Sequence, residues 1–248
     1  MLCRLFIDPP APGSWNMALD ETLLESAADR GESSLRFYRW SRPTLSLGYF
    51  QPYDDRLRHE PSRNCSAVRR PSGGGAILHD REITYSLAVP PGNRLAAKHL
   101  TLYETAHAAL IRALAGFAVD AQLSPGRPGN SGEKEPFLCF QRRCAGDVLL
   151  SDVKIAGSAQ RRRRGAVLQH GSLLLGRSPA APELAGLAEI LGRPIDAGPL
   201  VARWLPRLAA RLEVDWSPDL LTPTQRRQAE SLARERYARA DWTGPRGR

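Results

Sequence analysis

The segment Arg69-Arg70-Pro71-Ser72-Gly73-Gly74-Gly75-Ala76-Ile77-Leu78-His79-Asp80 sets three consecutive glycines between a basic pair and a His-Asp. Glycine lets the backbone take positive φ and approach a ligand closely, and three in a row weaken any regular element. Beside two arginines such a loop suits an acyl chain, a phosphate or both. On composition alone it is equally a flexible hairpin loop. A second segment stands further along, Asp152-Val153-Lys154-Ile155-Ala156-Gly157-Ser158-Ala159-Gln160, followed by Gln169-His170-Gly171-Ser172-Leu173-Leu174-Leu175. Taken singly, a lysine in such a strand is a solvent-facing side chain and His170 is a core histidine satisfied by backbone. Cys139, flanked by Leu138 and Phe140, is by itself a small buried hydrophobe.

Together the two segments resemble the lipoate/biotin protein ligase superfamily. Its first signature is R-R-x-S-G-G-G-x-x-x-H-D, and its second is a K-(I/V)-x-G-S-A-(Q) lysine loop with a following H-G-(S/T)-L-L strand. The likeness extends to Asn16-Met17-Ala18-Leu19-Asp20-Glu21, to Phe37-Tyr38-Arg39-Trp40, and to Pro43-Thr44-Leu45-Ser46-Leu47-Gly48-Tyr49-Phe50-Gln51. From about Asn16 to Leu175 these blocks keep their order and spacing. The resemblance implies an α+β fold, one catalytic domain of mixed β-sheets packed with helices over residues 1–248. Its core would span about 16–216 and a C-terminal helical segment about 217–242.

Within that superfamily, ATP-dependent ligases activate lipoate or biotin as an acyl-adenylate and need no cysteine. Octanoyltransferases take the acyl group from a carrier-protein thioester onto a cysteine and pass it to a lysine. Cys139-Phe140 stands fifteen residues before Lys154, the spacing of the LipM-type octanoyltransferases. The resemblance therefore implies a catalytic Cys139/Lys154 dyad, no cofactor, acyl carrier protein as donor, and a lipoyl domain or glycine-cleavage H protein as acceptor. A thiolate, not a thiol, is the nucleophile, and an ammonium within a few ångströms favours the thiolate. Lys154 would protonate the departing carrier thiol and later accept a proton from the attacking amine. The resemblance places Arg70, Ser72, Gly73, Gly74, Gly75, His79, Gly157, Ser158, Ala159, His170 and Gly171 around the substrate. The three loop glycines would line the acyl slot, and Arg70 and His79 would orient the loop or a carbonyl. Backbone N–H groups of a Gly157-Ser158-Ala159 turn would hold the oxyanion.

The chain departs from that branch just after the nucleophile. Gln141-Arg142-Arg143-Cys144-Ala145-Gly146-Asp147 stands where the branch has P-S and an acidic residue. Asp147 falls at the acidic place, and Cys144 becomes a second candidate nucleophile or a resolving thiol. Two other functions are compatible with parts of the pattern. One is an ATP-dependent lipoate-protein ligase, using ATP and magnesium, in which Lys154 contacts the adenylate and Cys139 has no role. The other is a non-catalytic protein that holds a lipoyl domain or nucleic acid on a basic face.

Composition sets the frame for these residues. A chain of 248 residues with 42% hydrophobic and 25% charged residues is ordinary for a globular protein. No run approaches the roughly 18 apolar residues of a membrane span, and the N-terminus turns to Asp8-Pro9-Pro10 too soon for a secretory signal. Cys3, Cys65, Cys139 and Cys144 show no metal-ligand spacing and read as thiols of a reducing, cytoplasmic compartment. The net charge of +9 and the run Arg161-Arg162-Arg163-Arg164 are generic for nucleic-acid binding. No nucleic-acid-reading motif accompanies them, and acyl carrier and lipoyl domains are themselves acidic partners. A solvated arginine-rich face accounts for the charge equally well.

The elements that must position these residues follow from periodicity. Strands are expected near Leu2–Ile7, Leu35–Trp40, Thr44–Gly48, Ser66–Arg70, Ile83–Val89, Val148–Leu150, Lys154–Gln160 and Ala166–Leu175. A helix N-capped by Ser14 should run to about Ala28, a short one from Asp54 to His59, and an amphipathic one over Leu100–Leu114. Residues 123–136 read as a mobile loop, and the chain from Pro179 as helices broken by prolines, including one over about Thr222–Trp242.

Overall fold

Strands that alternate apolar side chains to both faces build the central sheet of the computed structural model, which describes residues 2–97, 99–126 and 135–244. The strands in chain order are β1 (Leu2–Ile7), β2 (Ser34–Tyr38), β3 (Thr44–Leu47), β4 (Ser66–Arg69), β5 (Ile77–His79), β6 (Glu82–Val89), β7 (Gln122–Pro125), β8 (Ala145–Leu150), β9 (Val153–Arg163), β10 (Ala166–Leu174) and β11 (Asp215–Pro218). The helices are α1 (Gly13–Arg30), α2 (Arg94–Ala97), α3 (His99–Ala115), α4 (Leu187–Leu191), α5 (Ala197–Leu212), α6 (Pro223–Leu232) and α7 (Ala240–Thr243). Among the described residues, eight strands form one mixed sheet in the order β11-β1-β2-β6-β10-β9-β8-β7, and β4-β3-β5 form a small second one. The fold is α+β, as expected.

Both faces of the large sheet are covered, because neighbouring residues on its middle strands point to opposite cores. Leu35, Phe37, Tyr85, Leu87 and Val167 face α3 and α5 through Leu102, Leu110, Trp204 and Leu208. Phe6, Ala88 and Leu168 face α1 through Leu19, Leu23 and Ala27. The small sheet packs its own core of Leu45, Leu47, Leu78 and Leu138.

Several boundaries differ from expectation for physical reasons. Helix α1 starts at Gly13, not after Ser14; its N-cap is Pro12, with no side-chain cap. The entry is fixed instead by packing, since a Cβ on Gly13 would lie 2.9 Å from the Trp40 ring. The segment Tyr53–Arg58 is a 3-10 helix rather than an α-helix. The chain after Pro179 is not helical throughout: Asp215–Pro218 adds a parallel edge strand to β1, where proline is tolerated. The helix expected over Thr222–Trp242 is divided into α6, a π-turn at Ala233–Tyr237, and α7. Part of the expected 123–136 loop is β7, and residues 127–134 lie outside the described residues. Among the described residues, no helix is long and apolar enough to cross a membrane.

Candidate active site

The glycine loop joins β4 to β5, and the chain ahead of Cys139 runs alongside it. Ala76 N–H donates to Phe137 O at 3.1 Å and Cys139 N–H to Ala76 O at 2.7 Å. Cys139 then opens a one-turn 3-10 helix, Cys139–Gln141, and is only partly buried. Lys154 reaches it from β9, with Nζ 3.8 Å from Cys139 Sγ and 3.3 Å from Cys139 O. The β8–β9 register shifts beside this point, since Val148 and Leu149 pair with Ala156 and Lys154 and skip Ile155 of β9, the kind of irregularity that re-aims a side chain.

Behind Lys154 stands Asp147 of β8, whose Oδ2 lies 2.8 Å from Nζ; both side chains are almost wholly buried. Burial works against the Lys154 ammonium, but Cys139 and Asp147 together outweigh it and hold its pKa above that of an ordinary lysine. Asp147 has two further donors, Tyr103 Oη to Oδ1 at 2.6 Å and the Cys144 N–H to Oδ2 at 2.8 Å. The Cys144 thiol itself is exposed, and partial burial together with Asp147 raises its pKa. Of the two cysteines, Cys139 has the lysine in contact.

Arg70 holds the glycine loop, donating to Gly73 O and Gly75 O at 2.7 Å each and to Ser46 O at 2.9 Å. Every one of these partners is neutral, and its Nε has none among the described residues. Burial, only partly offset by Cys139, pushes the Arg70 guanidinium down to about 10. Ser72 Oγ meets His170 Nε2 at 2.5 Å, and His170 Nδ1 meets Asp20 Oδ2 at 3.1 Å. Asp20 is held in turn by Arg36, Tyr38 and Ser86. His79 does not touch the loop; it stacks on Trp40 and reaches Arg70 through Ser46, with Glu82 on its other nitrogen.

Each glycine answers its own local need. Gly74 has φ +91, Gly75 packs under the Arg142 guanidinium, and a Cβ on Gly73 would meet the Phe50 ring at 4.0 Å, an ordinary contact. Gly157, Ser158 and Ala159 are not a turn. They lie in the middle of β9, opposite Ser172, Gly171 and His170 of β10. The Ser158 N–H is already donated to Tyr103 Oη at 3.3 Å, so that segment is not an open oxyanion hole. Gly157 instead makes room: a Cβ there would lie 2.7 Å from Lys154 Cε and 3.2 Å from Asp147 Oδ1. Gly171 likewise admits the Ser158 hydroxyl.

Sequence reasoning gave no role to Tyr103, His107 or Asp20. His107 accepts at Nε2 from Ser158 Oγ (2.7 Å) and donates from Nδ1 to Gly146 O (2.6 Å). Burial pushes its pKa down to about 4. Tyr103 and His107 are four residues apart among the apolar positions of α3, which places both on its buried face; that spacing was the available signal.

A cavity of about 20 Å³, bounded by Met17, Trp40, Arg70, Ile77 and Gly171, lies behind the glycine loop. A much larger one of about 720 Å³ lies elsewhere, lined by Ser14, Arg42, Arg56 and Arg239, and neither Cys139, Lys154 nor Asp147 borders it. The arginine run is tied back onto the protein, Arg163 to Glu21 and Glu25, Arg164 to Glu25 and Asp29.

Residues 12–193 match the family of the lipoyl protein ligase A/B catalytic domain. The chain is 34% identical to the octanoyltransferase LipM of Moorella thermoacetica, over 92% of each chain. It is 33% identical to the octanoyltransferase LipM of Kyrpidia tusciae, over 96% of this chain and 97% of that one. A lipoate-protein ligase A crystallised with ATP superposes with a TM-score of 0.79 at 21% identity, covering 98% of each chain. At that identity the likeness is one of fold.

Proposed function

The chain belongs to the lipoyl protein ligase A/B catalytic-domain family, and from that membership we infer that it is an octanoyltransferase acting through a thioester on Cys139. Acyl carrier protein is the donor, and a lysine of a lipoyl domain or of the glycine-cleavage H protein is the acceptor. The observation that carries this reading is the Lys154 ammonium 3.8 Å from the Cys139 sulfur, in a chain whose full-length relatives are octanoyltransferases. With its cysteines as free thiols, the enzyme works in the reducing cytoplasm.

The reaction balances on these two side chains. The Cys139 thiolate attacks the donor carbonyl, and Lys154 protonates the departing carrier thiolate, leaving octanoyl-Cys139 and a neutral lysine. The acceptor amine then attacks the thioester, Lys154 takes its proton, and Cys139 leaves as thiolate. The starting state is restored without ATP, because thioester exchange is nearly neutral and amide formation from a thioester is downhill. Arg70, buried and facing Cys139, favours the negative charge that develops there. The cavity behind the glycine loop, about 20 Å³, holds about one water and is too small as it stands for an eight-carbon chain.

Incubation with octanoyl-acyl carrier protein without ATP, read by intact mass, tests the assignment. An octanoyl adduct on Cys139 that is absent in Cys139→Ser is expected. An adduct on Cys144 would move the nucleophile. No adduct, with acyl-adenylate appearing only on addition of ATP, magnesium and octanoate, would replace the transferase by a ligase.

A further inference from the structure

We propose that Asp147, clamped by Tyr103 and the Cys144 backbone amide, is the positioning residue that keeps the Lys154 amine against Cys139 throughout the transfer. The proposal rests on the transferase reading for its catalytic consequence, not for its geometry.

Three elements converge on this carboxylate. Lys154 arrives from β9, Tyr103 from α3, and the Cys144 N–H from the turn that starts β8. Tyr103 Oη accepts from the Ser158 N–H, so its own proton is left for Asp147. Burial and Asp147 raise the pKa of that hydroxyl, which keeps it a donor. The backbone is shaped for the same purpose. Gly146 takes φ +84, and a Cβ there would lie 2.9 Å from the Tyr103 ring. Gly157 leaves the space the ion pair fills.

The carboxylate accepts from an ammonium, a phenol and an amide at once, an arrangement suited to placement and charge. A lysine side chain has four rotatable bonds and, unanchored, spreads its amine over many positions. In the resting enzyme two partners, Cys139 and Asp147, fix Nζ. Once Cys139 carries the acyl group, Asp147 is the one of the two that remains. Nζ then still stands beside the thioester when the acceptor amine arrives, and it protonates readily because a carboxylate faces it.

The chain contains three lysines, Lys98, Lys134 and Lys154, so lysine-selective ¹⁵N labelling gives a direct titration of Lys154 Nζ. The titratable groups facing it are Cys139 and Cys144 from the nucleophile segment, Asp147 from β8, and Tyr103 and His107 from α3; Arg70 faces Cys139 from the small sheet. In Asp147→Asn the Lys154 titration should move down by about one unit or more. Turnover should fall about 100-fold with KM for the octanoyl carrier little changed, and the alkaline limb of the pH–rate profile should move down with the lysine. Asp147→Glu should restore part of both. An unshifted Lys154 titration, or a loss of activity whose alkaline limb stays where it was, overturns the proposal, since a merely structural pair would act that way. If Asp147→Asn does not fold, Tyr103→Phe replaces it: turnover lowered about 10-fold at constant KM supports the clamp, and wild-type turnover overturns it. If the wild type itself forms no acyl-enzyme, the transferase reading falls, while the Lys154 titration still decides the role of Asp147.

Discussion

A Cβ on Gly48 would stand inside the carbonyl of Gly74. The end of β3 and the glycine loop are thus in backbone contact, a fit that only glycine at position 48 permits. Tyr49 N–H adds a bond to Ser72 O at 2.8 Å, and Arg70 N–H one to Leu47 O at 3.0 Å. The loop beside Cys139 takes its shape from this contact as well as from its own glycines.

Gly48→Ala should therefore displace the loop. Overpacking against backbone costs about 1–3 kcal/mol, which corresponds to a fall in Tm of roughly 2–12 °C for a chain of this size. Acyl-enzyme formation should be nearly abolished while the far-UV spectrum is retained. Thermal melts with intact-mass kinetics check this, and wild-type rates of adduct formation would contradict it.

His170→Ala should loosen the same loop from its other side. The substitution removes the link between Ser72 and Asp20, but leaves Asp20 with Arg36, Tyr38 and Ser86. Losing a buried hydrogen bond to a charged group costs about 1.5–3 kcal/mol. Amide exchange in residues 71–76 should accelerate more than exchange in β6 or α1. Uniform acceleration across the chain would mean that the Ser72–His170–Asp20 chain holds the core and not the loop.

The sheet was legible because period-two alternation is a local property: β2, β6 and β10 read directly from their apolar residues. The nucleophile and lysine were legible only through the resemblance, since Cys139 between Leu138 and Phe140 carries no local sign of chemistry. Their supports were hidden because Tyr103 meets Asp147 across 44 residues and Asp20 meets His170 across 150. Gly157 read as part of a turn because glycine weakens a strand; its actual reason is the Lys154–Asp147 pair beside it. The arginine run read equally as a patch for partners and as a solvated face; half of it is neutralised by Glu21, Glu25 and Asp29, acids of α1 more than 130 residues earlier. What sequence periodicity does not encode is which distant polar residues will share a buried site.

Gly157→Ala isolates that last point. The new methyl would crowd Lys154 Cε at 2.7 Å and Asp147 Oδ1 at 3.2 Å, and the long lysine side chain is what can give way. The fold should persist, with Tm lowered by only a few degrees, roughly 1 kcal/mol. Displacing the amine by about 1 Å should slow transfer about 100-fold. Comparison of kcat with Tm across wild type, Gly157→Ala and Gly157→Ser checks it; a variant as fast as wild type would show that Nζ is not confined there.

Acid stability gives a prediction that depends on no substrate. His107 is buried between Gly146 O and Ser158 Oγ, and burial lowers its pKa to about 4. The unfolded chain protonates this histidine near pH 6.5. Between the two values the unfolded state binds a proton that the folded state does not, so stability present at neutral pH is lost as pH falls through that window. The loss attributable to His107 is about 3 kcal/mol. Asp20 behaves differently: burial opposes its charge, but His170 and Arg36 lower its pKa below the ordinary value. Its contribution is therefore lost only below about pH 4, where unfolded carboxylates protonate. Urea unfolding at pH 7 and at pH 4.5 separates the two. Wild type should lose stability between these conditions, and His107→Asn, though weaker at pH 7, should lose about 2 kcal/mol less. Equal losses in both proteins would mean that His107 takes up its proton in the folded state at an ordinary pH and that the Ser158–His107–Gly146 chain is not closed to water.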